Sequence, residues 1–243
     1  MRDARDDWRG FDAASIPTKA ATPHLDAFLA TLRETAPDAP PRTLLDVGCG
    51  TGGLDGRLRD RGFAVLGVDI SPAAIRVARS QIGPGDAAGC RLRFEEADFA
   101  GDECPTLDGG PFDVVVCQLV ISIIGDTRQR RNLLRHVHHH LRPGGWLYLS
   151  ASGVSDAINP GYARLYAEDA PLTGERHSYL SRDEHGRVLY TTHHFTEDEL
   201  TTLLDDAGFA AISVTSEREA SSRRPNEAAC FFYATARAAG PRA

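Results

Sequence analysis

The amino-acid sequence predicts an α/β protein built on a doubly wound, mainly parallel sheet, and three observations predict it. From residue 42 onward, strand-like apolar runs alternate with helical patterns. The run "FDVVVCQLV" is apolar almost without interruption, as a strand covered on both faces requires. Glycines cluster directly behind the first run, in "LLDVGCGTGG" at residues 44–53, where a strand has to turn sharply into a helix.

The elements follow in order. "RTLLDV" is a buried strand that turns at Gly48, and "GLDGRLRDRG" a short helix closed by Gly62. "AVLGVDI" is the second strand; Ser71 then caps the helix "PAAIRVARSQI", with Pro72 at its first position. "CRLRFEEAD" and "FDVVVCQLV" are the third and fourth strands. A helix opens at Asp126 with Leu133, Leu134, Val137 and Leu141 on its core face, and "PGG" separates it from the fifth strand, "WLYLSAS". After that strand the rhythm breaks. "DAINPGYARLYAEDAPLTGE" reads as irregular or short-helical, and "RHSYLSRDEHGRVLYTTHH" as a hairpin turning around Asp183 to Gly186. Thr196 and Glu199 form a capping box for a helix ending at Gly208. Two last strands, "FAAISVTSERE" and "AACFFYATARA", are joined by "ASSRRPNE", short enough for antiparallel partners, and bring the sheet to seven strands.

Composition narrows the function. The chain has 243 residues, enough for one substantial core without disulfides or metal. Its formal charge of −7 argues against nucleic acid, which is bound by clustered Lys and Arg. No apolar stretch approaches a membrane span and "MRDARDDWRG" lacks a secretory core, so a cytoplasmic location is expected. Cysteines at 49, 90, 104, 117 and 230 have no metal-site spacing and read as buried hydrophobes in a reducing compartment. Lys19 is the sole lysine among many arginines, a bias that suggests a GC-rich bacterial genome.

The glycine loop admits two cofactors. Gly48, Gly50 and Gly53 fit a dinucleotide fingerprint, with Asp69 near the place of its ribose acid. Asp46 stands against that reading: a carboxylate at the end of the strand before the turn repels a pyrophosphate and suits a ligand with a cationic end. With Gly48, Gly50 and Gly52 behind that acid, "LLDVGCGTG" resembles the first motif of the class I S-adenosylmethionine-dependent methyltransferases. "VDIS" at 68–71, "EADF" at 96–99, "FDVVVCQLV" and "LRPGGWLYLS" are similar to that family's later motifs, and the resemblance covers roughly residues 42–237.

The resemblance implies a Rossmann-like fold, with S-adenosyl-L-methionine as cofactor and S-adenosyl-L-homocysteine as product. It implies that Gly48, Cys49, Gly50 and Gly52 wrap the methionine portion and that Asp46 reaches its ammonium. Asp69 would accept the ribose hydroxyls, Ile70 would pack on the adenine, Asp98 and Phe99 would meet the adenine edge, and Gln118 and Leu119 would line the methyl channel. The chain is then one domain over 1–243: an N-terminal helical lid at 1–41, a cofactor-binding core at 42–151, a substrate-covering insertion with the hairpin at 152–195, and a C-terminal helix and strand pair at 196–237.

Methyl transfer to a hydroxyl, phenol or amine needs a base, and histidine suits neutral pH. The candidates are His193 and His194 at the end of the hairpin and His177 at its start. Trp8, Phe11, Tyr162, Tyr179 and Arg223 are expected to meet the acceptor, and Lys19 the cofactor carboxylate or an anionic acceptor group. "HVHHH" at 136–140 and the arginines at 128, 130, 131, 135 and 142 read as a solvated helix face, not a metal site. The expected activity is transfer to an O or N atom of a small molecule in bacterial secondary metabolism, such as antibiotic biosynthesis, by a monomer or homodimer. A cofactor-binding scaffold without methyl transfer and a protein or RNA methyltransferase remain as alternatives.

Overall fold

The computed structural model describes Trp8 and residues 23–34, 42–83, 91–183, 185–221 and 226–240. Its elements are α1 (Pro23–Glu34), β1 (Thr43–Val47), α2 (Asp55–Asp60), β2 (Ala64–Asp69), α3 (Pro72–Ser80), β3 (Leu92–Glu96) and β4 (Phe112–Gln118). They continue with α4 (Thr127–His140), β5 (Leu141–Gly153), α5 (Pro160–Thr173), β6 (Ser178–Arg182), β7 (Val188–His193), α6 (Glu197–Asp206), β8 (Phe209–Ala220) and β9 (Ala228–Ala238).

Seven strands form the sheet in the order β3-β2-β1-β4-β5-β9-β8, and β6 and β7 pair apart from it. Neighbours from β3 to β5 are parallel, while β9 is antiparallel to both β5 and β8. The reversal at β1, where successive strands go to opposite sides, opens a crevice at the strand C-termini. Alternate strand residues feed two cores. On one face Leu45, Val115 and Leu147 pack under Leu133 and Val137 of α4 and Leu200 and Leu204 of α6. On the other, Leu44, Val65 and Val114 lie under Leu25, Leu29, Leu58 and Ile75 of α1, α2 and α3. Each fully buried aliphatic side chain contributes about 1.5–3 kcal/mol. No helix among the described residues is long and apolar enough to cross a membrane.

The helix starts are those the sequence specifies. The side chains of Ser71, Asp126 and Thr196 accept from the N–H groups of Ala74, Gln129 and Glu199. Four features differ from expectation. Residues 160–173 form a full helix: Asn159 caps it, Pro160 opens it and Gly174, in the left-handed region at φ 70°, closes it. A helix survives Pro171 because that residue falls in its last turn, and Tyr162, Tyr166, Asp169 and Thr173 give it a buried stripe. Leu141 begins β5 instead of ending the preceding helix. Helix α1, expected within a lid, packs on the sheet, with Phe28 stacked on Tyr148 at 5.5 Å.

The fourth concerns "HVHHH". His136 and His140 are buried, and their rings meet backbone carbonyls, Nδ1 of His136 with Phe99 O at 3.0 Å and Nε2 of His140 with Pro105 O at 2.9 Å. Asn132, one turn earlier, donates to Gly101 O at 2.8 Å. Burial lowers both histidine pKa values, which keeps the rings neutral. Helix α4 therefore clamps the loop after β3, and of the five arginines only Arg128, Arg131, Arg135 and Arg142 are exposed. Arg130 is 1% exposed and pairs at 2.7 Å with Glu175, in the segment before β6, and its guanidinium lies 5.9 Å from the Phe195 ring.

Candidate active site

A cavity of about 1350 Å³, its open mouth included, lies beyond the C-terminal ends of β1, β2, β4 and β5. Its floor is the glycine loop. Gly48, Gly50 and Gly52 have φ of 79°, 56° and 82°, values that favour glycine. A side chain at Gly48 would begin 2.2 Å from Cγ2 of Val120, so only glycine fits against that residue in the cavity wall. Leu119, beside it, is held at φ 60° by its N–H donating to the carbonyl of Ser150. Such strain in a residue with a side chain recurs at ligand sites.

Asp69 ends β2 at the cavity edge. One oxygen accepts from Gly50 N at 2.9 Å and the other from Ser71 N at 2.8 Å, which fixes the carboxylate and still leaves each oxygen a lone pair toward the cavity. Burial raises its pKa; the N–H groups of Ser71, Gly50 and Ile70 oppose that. Asp98 receives Ala100 N and Gly101 N on one oxygen at 2.9 Å, so it orders its own loop while lining the wall with Phe99. Ile70, Gln118 and Leu119 complete this end. Oε1 of Gln118 is buried with no hydrogen-bond partner. Asp46, Cys49, Gly50 and Gly52 sit behind the lining rather than in it; Asp46 is buried, and burial first, then Asp55 and Asp69, hold its carboxyl well above the usual range.

The other end is aromatic and hydroxylic. In the hairpin register Tyr179 faces Thr192 and Ser181 faces Tyr190, and all four line the cavity. Trp8 lies on Tyr190 with ring centroids 4.8 Å apart, and Tyr162 and Phe231 add further wall. The hairpin is fixed from both sides. Asp169 of α5 takes Leu180 N and both terminal nitrogens of Arg182, contacts that lower its pKa, Arg182 foremost. Phe195 N donates to Ser152 O, and Val154 N to Phe195 O, tying the end of β7 to the tip of β5.

That tie separates the candidate bases. His194 lines the cavity, and its Nδ1 is 2.7 Å from the hydroxyl of Tyr166, which also accepts from Ser155 N at 3.3 Å. His193 points to the opposite face, buried. Its Nδ1 meets Ser178 Oγ at 2.7 Å and its Nε2 meets Glu199 at 3.0 Å, in the network that joins Glu175 to Arg130. His177 stands at φ 63° before β6, outside the lining, and accepts His194 N on its carbonyl. His177 and Tyr179, expected on one face of the first hairpin strand, part company, since Tyr179 lines the cavity and His177 precedes the strand. The two-residue period of β7 places Tyr190, Thr192 and His194 on one face and Thr191 and His193 on the other. The same period in β6 would have found Ser181. Lys19, Phe11 and Arg223 lie outside the described residues.

Known proteins of this architecture agree with the chemistry of the floor. A methyltransferase-domain family matches residues 21–214. The ubiquinone biosynthesis O-methyltransferase of Pseudomonas paraeruginosa is 36% identical over 110 residues, 45% of this chain and 44% of that protein. The chain thus matches under half the length of these curated relatives. A SAM-dependent methyltransferase from Methanosarcina mazei superposes with a TM-score of 0.75 at 26% identity, over 91% of this chain and 99% of the other. Magnesium protoporphyrin IX methyltransferase from Synechocystis, solved with S-adenosylhomocysteine bound, shares the fold at TM-score 0.60 and 20% identity, over 95% and 97%.

Proposed function

Because the chain belongs to the class I S-adenosylmethionine-dependent methyltransferases, we propose that it methylates an O or N atom of a small, uncharged molecule, with His194 as the base. The observation that carries this reading is the continuity of one cavity from Asp69 and the glycine loop to the Tyr166–His194 pair.

S-adenosylmethionine is the cofactor, and its sulfonium supplies an activated methyl group. The residues present fit it. Gly48 brings backbone to the cavity wall, Asp69 offers two fixed oxygens to vicinal hydroxyls, and the Asp46 carboxyl, buried behind the loop, would be ionised by an ammonium placed over it. The protein's work in such a displacement is to hold the acceptor in line and to exclude water, and the ring of Trp8, Tyr162, Tyr179 and Phe231 supports both. With Nδ1–H donated to the Tyr166 oxygen, Nε2 of His194 carries the lone pair that takes the acceptor's proton. Burial pushes the Tyr166 phenol far above its ordinary pKa, so it stays a neutral partner that orients the ring.

Among the described lining residues the charged ones are Asp69 and Asp98, both at the donor end. An acceptor chamber without charge favours a neutral molecule, and the relative named for ubiquinone biosynthesis favours oxygen over nitrogen. Tailoring of a bacterial secondary metabolite by a cytoplasmic enzyme belongs to the same proposal. Incubation with labelled methyl donor and a panel of phenols, alcohols, amines, carboxylic acids and bulk RNA tests it. Label should pass to a neutral hydroxyl or amine compound and be lost in His194→Ala; transfer to RNA alone would overturn it.

A further inference from the structure

Of the two carboxylates buried beside the glycine loop, Asp46 and Asp55, the second is unused by the chemistry above. Asp55, the first residue of α2, is 0% exposed, and neither of its oxygens has a hydrogen-bond partner in another residue. Leaving an ionised carboxylate in that state is costly. Its position is built, not accidental. Gly67 lies in the middle of β2, where glycine weakens a strand, and a side chain there would begin 2.6 Å from Oδ1 of Asp55. The gap left by Gly67 is filled by the Asp55 carboxylate and the Phe94 ring, whose edge lies 2.7 Å from the same point. Gly67 is also the register partner of Asp46 on β1, which brings the two acids together on one face of the sheet.

The groups around the pair offer no positive charge. Cys49 faces it from the loop, Asp69 from the end of β2 and Val116 from β4. Arg79 of α3, packed on the same strands, donates instead to the carbonyl of Phe94 at 3.0 Å. In α2 itself, Arg59 pairs with Asp60. Among the described residues no cation pairs with Asp46 or Asp55. Two carboxylates so placed cannot both be ionised in a dry site unless a proton or a ligand cation offsets them. Burial pushes Asp55 up to about 7, and burial first, then Asp55 and Asp69, hold Asp46 well above the ordinary carboxylate range.

We infer that Asp55 is a positioning residue for the donor: it makes the Asp46–Asp55 pair retain a proton that the donor's ammonium group replaces, so donor binding releases a proton and tightens as the pH rises. The inference rests on the methyl-donor reading of the glycine loop. On binding, the carboxyl O–H bond breaks, the proton passes to the buffer, and the ammonium takes over the neutralisation of Asp46. A ligand with phosphate at the same place would meet two acids with nothing to offset them. The pair therefore selects for a cationic methionine end.

Calorimetric titration of the full chain with S-adenosylhomocysteine, which keeps the ammonium and cannot turn over, tests this between about pH 5.5 and 7.5, below the range where α-amino groups titrate. Affinity should rise at least about tenfold across that window, and the binding heat should vary with the ionisation enthalpy of the buffer, as proton release demands. In Asp55→Asn the rise should shrink to less than about threefold and the buffer dependence should weaken with it, since burial alone still acts on Asp46. Asp55→Ser, which keeps an oxygen at the helix start, serves the same comparison if the asparagine variant does not fold. A purely structural Asp55 would alter melting and leave the proton count intact, so buffer-independent heat in the wild type, or a wild-type slope in both variants, overturns the inference. Absence of any binding at any pH would overturn the methyl-donor reading and this inference with it, an outcome distinct from tight, pH-independent binding.

Discussion

At the donor end of the cavity, Gly48, Asp69 and Ile70 come from one strand-loop-helix-strand stretch, and its wall is set by the glycine-loop backbone and the carboxylate that this backbone holds. At the acceptor end, Trp8, Tyr162, Tyr179, His194 and Phe231 come from five separate parts of the chain and present side chains. The first end is specified by local turn geometry, which any ligand with the donor's shape can use. The second is specified by tertiary packing, above all by the bonds from Phe195 to the tip of β5 and from Asp169 to β6. The comparison teaches where each change should register: donor affinity for the first, turnover for the second.

The sharpest division is expected from His194→Ala. It should lower turnover by about 10²–10⁴-fold, measured as initial rates on whichever acceptor takes the label, while calorimetric affinity for S-adenosylhomocysteine stays near the wild-type value. Equal losses in both would mean that the two ends do not act separately. Gly48→Ala probes the opposite end. Its new carbon would lie 2.2 Å from Val120 in a backbone conformation that side chains avoid, a cost of roughly 2–3 kcal/mol. Donor affinity should fall about a hundredfold for every acceptor tested, and a variant that loses turnover on one acceptor alone would break the comparison.

His193 and His194 repeat the same contrast at the scale of adjacent residues. His193 is held by Ser178 and Glu199 in a buried network with Glu175 and Arg130. Burial opposes ionisation of Glu175 and Glu199, but Thr127 and Arg130 for the first, and His193 for the second, bring both below their ordinary values. His193→Ala should cost about 1–3 kcal/mol of stability, seen as a lower Tm, with turnover below the melting range reduced far less than in His194→Ala. If His193→Ala instead removed turnover without moving Tm, the assignment of the two rings would be reversed.

The same division explains what could be read from the sequence. The alternation of strands and helices, the caps at Ser71, Asp126 and Thr196, and the glycine turn after β1 are set by short-range patterns, and these are legible in the sequence. The helix at 160–173 was partly legible: Asn159, Pro160 and Gly174 are its start and stop, but Pro171 and the weak apolar stripe obscured it. The roles of His136 and His140 were not, because a histidine on a polar helix face looks alike whether water or the carbonyls of Phe99 and Pro105 lie against it. Asp55 was overlooked for a related reason. It stands in a polar segment, and only the gap at Gly67, a strand away in space, shows that its carboxylate is buried.

Asp55 supplies the smallest expected effect and joins the two kinds of measurement. Burial raises its carboxyl from the ordinary aspartate value to about 7 in the folded protein. The folded state therefore prefers the protonated acid, and the stability this contributes is complete below the unfolded value and lost as the pH climbs through the folded one. The acids held down by partners, Asp169, Glu175 and Glu199, act the other way and at lower pH, and they are common to wild type and variant. A difference between the two isolates the buried pair. Asp55→Asn, neutral at every pH, should melt close to wild type near pH 4 and several degrees above it near pH 8, with the gap opening across the interval about 4 to 7. Saturating S-adenosylhomocysteine should narrow that gap, since the ligand's ammonium then does for the wild type what the substitution does for the variant. A gap that is constant with pH would mean that Asp55 is ionised in the folded protein, and the glycine loop would have to be supplied with a counter-charge from elsewhere.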